Sequence, residues 1–176
     1  MYNLENYEFK FKNFDDLHNT LICGKVSTGK TTFILKCVDE LLKTFKDNFD
    51  LVILDETNIN YFHLKSLNNV YLFNNDEDFE SKIKTLNSVK NTVVIADNYS
   101  FRNNKNLIKL IKKTMRSNHH CYFIIAGQNP YSLSEDLIGL FSYRISFKLS
   151  EVDSKDYISN EKASLLVSHQ FIIEGE

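Results

Sequence analysis

The sequence predicts an α/β fold in which a mainly parallel sheet is flanked by helices, with an N-terminal edge strand and C-terminal antiparallel strands. Short runs that are apolar at every position, as at 51–54 and 93–96, are typical of strands buried on both faces of such a sheet. Segments with the apolar spacing of a helix, as at 30–46 and 103–118, lie between these strands. Strands and helices that alternate along a chain favour parallel pairing, because a helix can return the chain to the same edge of the sheet.

A glycine-rich loop between the first core strand and the first long helix is the third observation. It matches the pattern G-x-x-x-x-G-K-[ST] of a phosphate-binding loop. Gly24 and Gly29 let the backbone turn tightly and bring its N–H groups onto phosphate oxygens. Lys30 reaches the outer phosphates and the Thr31 hydroxyl holds Mg²⁺, so we predict that the loop binds a nucleoside triphosphate. The predicted nucleotide-binding residues are Gly24, Lys25, Val26, Ser27, Thr28, Gly29, Lys30, Thr31 and Thr32.

The composition is that of an ordinary globular chain of 176 residues, 43% hydrophobic and 25% charged, and we predict one domain over 1–176. Its parts are an N-terminal edge strand and connection at 1–19, a nucleotide-binding core at 20–150, and a C-terminal helix and edge strand at 151–176. The net charge of −2 provides no bulk basic surface, so contact with nucleic acid requires a local patch or an oligomeric ring.

The cysteines and the hydropathy pattern indicate the compartment. Cys23, Cys37 and Cys121 lie in apolar patterns without metal-ligand spacing, which is typical of reduced core residues. No apolar run approaches the roughly 18 residues that span a bilayer, and the N-terminus lacks the pattern of a signal peptide. We therefore expect a cytoplasmic protein without a membrane span.

The same periodicities predict the remaining elements. Tyr7, Phe9 and Phe11 alternate with charged residues over 7–12, which favours a half-buried strand at the sheet edge over a segment that docks a partner. The other predicted strands lie at 20–23, 70–73, 121–126, 144–149 and 170–173, and the other predicted helices lie at 78–86, 134–140 and 154–168.

The predicted strand at 91–97 ends in an acid. An apolar strand of this kind downstream of a phosphate loop is the Walker B arrangement, in which the carboxylate emerges at the strand's C-terminal end and orders Mg²⁺ through water. We assign this role to Asp97. Asp55, which is followed by Glu56, competes for the role because these two acids also follow an apolar strand.

Gln128 follows the apolar strand predicted at 121–126. In a parallel sheet this position shares a rim with Lys30 and Asp97, and ligands bind at that rim. An amide there can sense the γ-phosphate or orient water, although an amide that satisfies a turn explains Gln128 equally well.

A basic face accompanies the predicted helix at 103–118. Apolar residues at Leu107 and at the third, fourth and eighth positions after it form one helical face. A solvated surface is the ordinary explanation of the basic remainder, and contact with nucleic acid is the alternative. The basic residues are Lys105, Lys109, Lys112, Lys113 and Arg116.

These features together resemble the additional-strand P-loop ATPases and, more narrowly, the FtsK/HerA superfamily. That superfamily contains chromosome-segregation translocases, conjugative coupling proteins and the packaging ATPases of DNA viruses. The stretch 116–130 is the most telling, since it combines a basic helix end, a histidine-containing turn, an apolar strand, Gln128 and a nearby proline. The strand at 144–149 with Ser154 resembles a later strand and its following serine. The other matching stretches are 24–32, 51–55 and 92–97.

The resemblance implies a RecA-like fold, with one strand between the phosphate-loop strand and the Walker B strand, and hydrolysis of ATP with Mg²⁺ by a homo-oligomeric ring. A hexamer is the candidate size. One subunit's arginine would reach the next subunit's γ-phosphate, and the candidates are Arg102, Arg116 and Arg144, the last two nearest the family's positions. Family members follow the Walker B aspartate with an acid that polarises water, but here the amide Asn98 follows. Glu56 or an acid of a neighbouring subunit is the substitute base, or else hydrolysis is slow and partner-dependent.

The function that this resemblance favours is an ATP-hydrolysing DNA translocase that packages a viral or mobile-element genome. Its partners would be double-stranded DNA and a capsid or portal protein, and it would act in the host cytoplasm or at the virion. The chain shows no extra membrane, sequence-reading or nuclease segment, which favours a packaging ATPase over a chromosome-segregation protein. Asn98 supports an alternative, an ATP-dependent switch module with weak hydrolysis. An AAA+ initiator or loader is disfavoured by the short segment after the sensor strand, and a small-molecule kinase by the lack of an arginine-rich lid.

Overall fold

The computed structural model describes residues 1–57, 59–86, 90–99, 101, 104–117, 120–128, 133, 135–158 and 161–175, with side chains at all of these except 135, 136, 154–156, 158 and 161. Eight strands form its framework. They are β1 (Tyr2–Asn3), β2 (Thr20–Cys23), β3 (Phe49–Asp55), β4 (Val70–Phe73), β5 (Asn91–Asp97), β6 (Cys121–Gly127), β7 (Tyr143–Ser146) and β8 (Gln170–Gly175).

The strands form a mixed sheet in the order β1-β8-β7-β2-β6-β5-β3-β4. The six strands from β7 to β4 pair in parallel, whereas β8 pairs antiparallel with both β7 and β1. The predicted α/β class, mainly parallel with an N-terminal edge strand and C-terminal antiparallel pairing, is therefore confirmed. A single strand, β6, lies between the phosphate-loop strand β2 and the acid-terminated strand β5, as the resemblance to additional-strand ATPases implied.

Helices cover both faces of the sheet. Apolar side chains of α1, among them Phe33, Ile34 and Leu41, form a core on one face, and those of α2 and α3, among them Phe79 and Leu107, join the core on the other. This two-sided burial explains why the strands are apolar at every position. The described helices are α1 (Lys30–Phe45), α2 (Asp76–Thr85), α3 (Lys105–Ser117), α4 (Glu135–Ile138) and α5 (Glu151–Ile158).

Strand alternation directs the two terminal acids of β3 and β5 to the same face. Leu51 and Val93 are register partners and both belong to the core beneath α1. Because side chains alternate along a strand, the fourth residue after each of them lies on that face again. These residues are Asp55 and Asp97, which are also register partners.

The segment at 7–12 is not a strand, so that prediction was wrong. Tyr7 and Phe9 are half-buried and their rings pack on Phe33 of α1, with centroids 6.0 and 4.8 Å away. The alternation therefore reports side-chain burial without backbone pairing, because the outer edge of β8 is already occupied by β1.

The C-terminal elements also differ from their predicted bounds. β7 ends at Ser146, and the predicted helix at 154–168 is instead α5 followed by a 3₁₀ turn at Glu161–Leu165. The Ser150 hydroxyl accepts a hydrogen bond from the Asp153 backbone N–H at 3.1 Å, which starts α5 earlier than predicted. β8 is not the outermost strand, since β1 covers it.

The cysteine prediction is confirmed. Cys23, Cys37 and Cys121 are buried free thiols, and burial raises the pKa of each to about 12. Among the described residues, no helix has the length and apolar character that crossing a membrane requires.

Candidate nucleotide-binding site

The loop at 24–29 is held against the carboxyl ends of its neighbouring strands. Gly24 N–H donates to Gly127 O at 3.3 Å, and Lys25 N–H donates to Lys148 O at 2.9 Å. A Cβ added at Gly24 would lie 2.6 Å from the Phe147 Cβ, so only glycine fits this approach. The two strands that flank β2 therefore fix where the loop begins.

The loop ends at Gly29, which caps the N-terminus of α1 with a left-handed backbone at φ 109°. That conformation favours glycine and turns the chain directly into the helix. The N-terminus of a helix presents free N–H groups and a positive dipole end, which together suit a phosphate. Gly29 thus places an anion site at the start of α1.

Lys30 is folded back onto the loop. Its ammonium donates to Gly24 O at 2.8 Å and to Lys25 O at 2.9 Å, and the residue is 6% exposed. Burial lowers the pKa of the Lys30 ammonium, while the charge of Asp97 opposes that shift. Two carbonyls solvate this cation incompletely, so a phosphate is a stronger partner for it.

Thr31 and Asp97 meet at the edge of the site. The Thr31 hydroxyl donates to Asp97 Oδ2 at 2.8 Å, and Asp97 is fully buried. Its second oxygen, Oδ1, is buried and has no hydrogen-bond partner among the described residues. Burial raises the pKa of Asp97, against the lowering effect of its hydrogen bonds. Mg²⁺ prefers oxygen ligands and keeps several of its water molecules. The Thr31 hydroxyl and a buried carboxylate oxygen without a described donor are groups of the kind that such a site needs.

The fourth polar group of this cluster is the Tyr61 hydroxyl, which donates to Asp97 Oδ2 at 2.9 Å. Tyr61 belongs to the connection after β3 and is 1% exposed. Sequence reasoning missed this residue, because it lies outside every periodic stretch and matches no motif.

A cavity of 320 Å³ opens above the start of α1. It gathers the predicted Lys30, Thr31 and Gln128, so the prediction that Gln128 shares the rim with the phosphate loop is consistent with the geometry. It also includes two residues to which no nucleotide contact was assigned, Asn98 and His169. The lining residues are Val26, Ser27, Gly29, Lys30, Thr31, Thr32, Asn98, Gln128 and His169.

His169 reaches the cavity from the turn before β8. Its N–H donates to Thr28 O at 3.0 Å, and the Ser168 hydroxyl donates to Ser27 O at 3.2 Å. The backbone of His169 is left-handed at φ 63°. Sequence reasoning missed this contact, because only the long-range fold brings the C-terminal turn onto the loop.

Asn98 directly follows Asp97 and also has a left-handed backbone, at φ 56°. Asparagine tolerates that conformation better than most residues. Its amide nitrogen lies 3.5 Å from the Thr31 hydroxyl oxygen. The amide therefore faces the site, at the position where a proton-accepting acid was expected.

Asp97 contacts the lining residue Thr31 but is not itself among the lining residues, and the remaining candidate catalytic residues do not line the cavity either. Glu56 is exposed on the connection after β3, and Arg116 is exposed near the C-terminal end of α3. Arg144 lies in β7 beside Leu21 and donates to Tyr157 O at 3.2 Å. An arginine that acts on a neighbouring subunit must lie away from its own site, so both arginines stay predictions. Arg102, His119, Pro130 and the Ser154 side chain lie outside the described residues.

Asp55, the competing Walker B residue, is committed to its own loop. Its Oδ1 accepts from the Thr57 N–H at 3.1 Å and from the Thr57 hydroxyl at 2.7 Å, and its Oδ2 lies 3.5 Å from the Asn60 amide. No hydrogen bond between Asp55 and Thr31 occurs in the described structure. The geometry favours Asp97 for the metal-side role.

Known structures share this fold, although sequence comparison finds no relative. No family model and no curated protein matches the sequence. The structure is similar to that of the genome packaging NTPase B204 from Sulfolobus turreted icosahedral virus 2 in complex with AMPPCP. The TM-score is 0.70 over 93% of both chains, and the identity is 20%.

Two larger proteins also share the fold. The pCW3 conjugation coupling protein TcpA, in a form with ATPγS, is 13% identical at a TM-score of 0.71, over 91% of this chain and 58% of TcpA. The cytoplasmic domain of the type VII secretion ATPase EccC from Thermomonospora curvata is 15% identical at a TM-score of 0.72, over 90% of this chain and 24% of that one. This chain therefore spans only part of these two relatives.

The fold is that of the additional-strand P-loop NTPases. Its strand order, phosphate loop and Thr31–Asp97 contact are the features of that class. Within the class, the fold is the one found in a viral genome-packaging NTPase and in coupling and secretion ATPases. The resemblance to the FtsK/HerA superfamily is confirmed at the level of the fold.

Proposed function

We propose that this chain is an ATP-hydrolysing DNA translocase that acts as a homo-oligomeric ring and packages a viral or mobile-element genome. The observation that carries the ATPase part is the contact between the Thr31 hydroxyl and a buried Asp97 whose second oxygen has no described partner. The contact joins the start of α1 to the end of β5, where a phosphate site and a metal-side acid must meet.

Each residue has a distinct role in this proposal. Backbone N–H groups of the loop and the Lys30 ammonium bind the phosphates, and Gln128 contacts the γ-phosphate or the attacking water. Thr31 and Asp97 would hold Mg²⁺, which supplies charge neutralisation on the phosphate oxygens. Lys30 exchanges its two carbonyl partners for phosphate oxygens. The negative phosphate then offsets the hydration that the ammonium loses on burial.

The packaging part rests on the fold and on the extent of the structural match. The likeness to the genome packaging NTPase B204 covers 93% of both chains, whereas the coupling and secretion ATPases are much longer. We propose by analogy that this chain acts in the host cytoplasm or at the virion and that a capsid or portal protein supplies its docking site. Within the ring, Arg116 or Arg144 would reach the neighbouring nucleotide.

Support for DNA as the partner comes from the exposed face of α3. Lys105, Lys109, Lys113 and Arg116 are exposed, and helical spacing places them in one stripe about 16 Å long. None of these four forms an ion pair with another residue in the described part of the chain. α3 carries no acid, although the whole chain has a net charge of −2. A segregated basic stripe suits a phosphate backbone.

Asn98 favours a second candidate, a nucleotide-dependent switch module that binds ATP and hydrolyses it poorly. An amide cannot accept the proton of the attacking water. Glu56 is exposed and lies outside the cavity lining, so the base predicted to replace the missing acid does not lie at the site. An acid from a neighbouring subunit could supply the missing base and would favour the motor again.

Steady-state ATP hydrolysis with and without double-stranded DNA separates these candidates. We expect turnover that DNA stimulates and that the Lys30→Ala substitution abolishes. Binding of ATP without turnover under both conditions would contradict the motor and favour the switch module. Failure to bind ATP at all would contradict both.

A charge reversal tests the DNA surface. We expect Lys109→Glu with Lys113→Glu to weaken duplex binding about tenfold or more and to reduce the salt slope by about two. Lys10→Glu with Lys12→Glu is the matched control, because these exposed lysines lie in the 7–12 segment, which packs on the α1 side of the sheet. Equal effects of both pairs would contradict the α3 surface.

A further inference from the structure

Tyr61 makes a contact that its packing role does not require. The residue is 1% exposed within the core beneath α1, where a phenylalanine would fill nearly the same volume. A buried hydroxyl must find a hydrogen-bond partner to offset its lost hydration. The partner of Tyr61 is not a backbone carbonyl but Asp97 Oδ2, at 2.9 Å.

Hydrogen bonds between described residues hold the chain on both sides of Tyr61. Asp55 accepts two hydrogen bonds from Thr57, at 3.1 and 2.7 Å, which closes the turn that follows β3. At the other end, the Leu64 N–H donates to Tyr61 O at 2.9 Å and starts a 3₁₀ turn. The hydroxyl of Tyr61 is therefore delivered to Asp97 by a segment with bonds on both sides.

Asp97 Oδ2 accepts from two hydroxyls, those of Thr31 and Tyr61. Under the proposed function the Thr31 hydroxyl serves Mg²⁺, so Tyr61 is the donor that stays with the carboxylate in the loaded site. The terminal torsion of an aspartate side chain has a broad distribution, so the hydrogen bonds to the carboxylate largely set its orientation. A single fixed donor on Oδ2 keeps Oδ1, the oxygen without a described partner, in its present orientation.

We propose that Tyr61 is a positioning residue for Asp97, which holds the carboxylate so that its unpaired oxygen is available to Mg²⁺. This inference rests on the proposed nucleotide function. It assigns a role to the connection after β3, in which the carboxylate of Asp55 supports the turn that delivers the Tyr61 hydroxyl to the end of β5.

The test is the Mg²⁺-dependent gain in ATP affinity, measured by calorimetry in Mg²⁺ and in EDTA. We expect Tyr61→Phe to reduce that gain about tenfold, which is the scale of one hydrogen bond to a charged group. In EDTA the variant should bind ATP as tightly as the parent does. Tyr157→Phe is the matched control, because its hydroxyl is equally buried but donates to Leu21 O at 2.8 Å. The control should keep the full gain.

A double-mutant cycle on stability in EDTA identifies the route of the effect. If Tyr61 acts through Asp97, the changes in the free energy of unfolding caused by Tyr61→Phe and Asp97→Asn are not additive, because both substitutions affect the same hydrogen bond. If Tyr61→Phe does not fold, Thr57→Val is the second variant, since it loosens the turn at an exposed site and should reduce the gain in the same direction.

The outcomes are distinguishable. A parent protein that gains no ATP affinity from Mg²⁺ would overturn the proposed site and this inference together. A parent that gains affinity, with Tyr61→Phe equal to Tyr157→Phe, would overturn the inference alone. Equal losses in Mg²⁺ and EDTA would also overturn it, because they would indicate a general packing role.

Discussion

Strands β3 and β5 lie side by side, both are buried and apolar, and both end in an aspartate on the same face of the sheet. Asp55 is 2% exposed and Asp97 is fully buried, so burial does not separate them. Their partners do. Asp55 is engaged by Thr57 and Asn60 of its own connection, whereas Asp97 is engaged by Thr31 and Tyr61 from two other elements.

This difference shows what suits Asp97, rather than Asp55, to the proposed metal-side role. The oxygens of Asp55 both face donors within its own turn, so the acid holds a loop in place. Asp97 keeps one oxygen without a described donor and touches the phosphate-loop threonine. Position at the end of an apolar strand is shared by both acids, and only the long-range contacts distinguish their roles.

The largest expected effect is on stability. We expect Asp55→Ala to lower the free energy of unfolding by about 2 kcal/mol, because the two Thr57 donors lose their acceptor. Asp97→Ala should cost less, since the removal of a carboxylate that burial disfavours offsets part of the loss of the Thr31 and Tyr61 hydrogen bonds. Urea unfolding in EDTA measures both, and the reverse order of losses would contradict the assigned roles.

The next effect is a pH dependence. Burial raises the pKa of Asp97 above its ordinary value of 3.8, so the folded state holds this proton to higher pH than the unfolded state does. Ionisation of Asp97 therefore removes stability as pH rises through the folded pKa. We expect Asp97→Asn to gain stability relative to the parent from about pH 4 towards pH 7. The gain should be about 1.4 kcal/mol for each unit by which folding raises the pKa of Asp97. Unfolding at several pH values, with the exposed Asp47→Asn as control, measures this difference, and a constant difference would count against it.

The smallest effect concerns the residues that follow the two acids. Asn98 has a left-handed backbone, whereas Glu56 is not among the residues with positive φ. We expect Asn98→Ala to cost about 1 kcal/mol and Asn98→Gly to cost much less, because glycine adopts this conformation freely. Glu56→Ala should change stability by no more than about 0.5 kcal/mol. Equal stability of the alanine and glycine variants at 98 would refute a strained position there.

Local patterns were enough to predict most of the framework. The apolar runs located β3 and β5 to within one or two residues, and the phosphate-loop motif located the start of α1 at Lys30. Gln128 was placed on the correct rim, because the carboxyl ends of parallel strands meet at one edge.

The rest depended on contacts between distant parts of the chain. Tyr61 and His169 lie in non-periodic connections, and only the folded sheet brings them to Asp97 and to the phosphate loop. Alternation at 7–12 was interpreted as a strand, although it arises from aromatic packing on α1. Helix α5 was placed too late because the cap at Ser150 was overlooked.

The central claim, that Asp97 and not Asp55 is the metal-side acid of an ATP site, is tested most directly by ATP binding with and without Mg²⁺. The parent, Asp97→Asn and Asp55→Asn would be compared by calorimetry. We predict that Mg²⁺ raises the ATP affinity of the parent and of Asp55→Asn by at least about tenfold, and leaves that of Asp97→Asn unchanged. Loss of the Mg²⁺ gain in Asp55→Asn, with the gain intact in Asp97→Asn, would contradict the account.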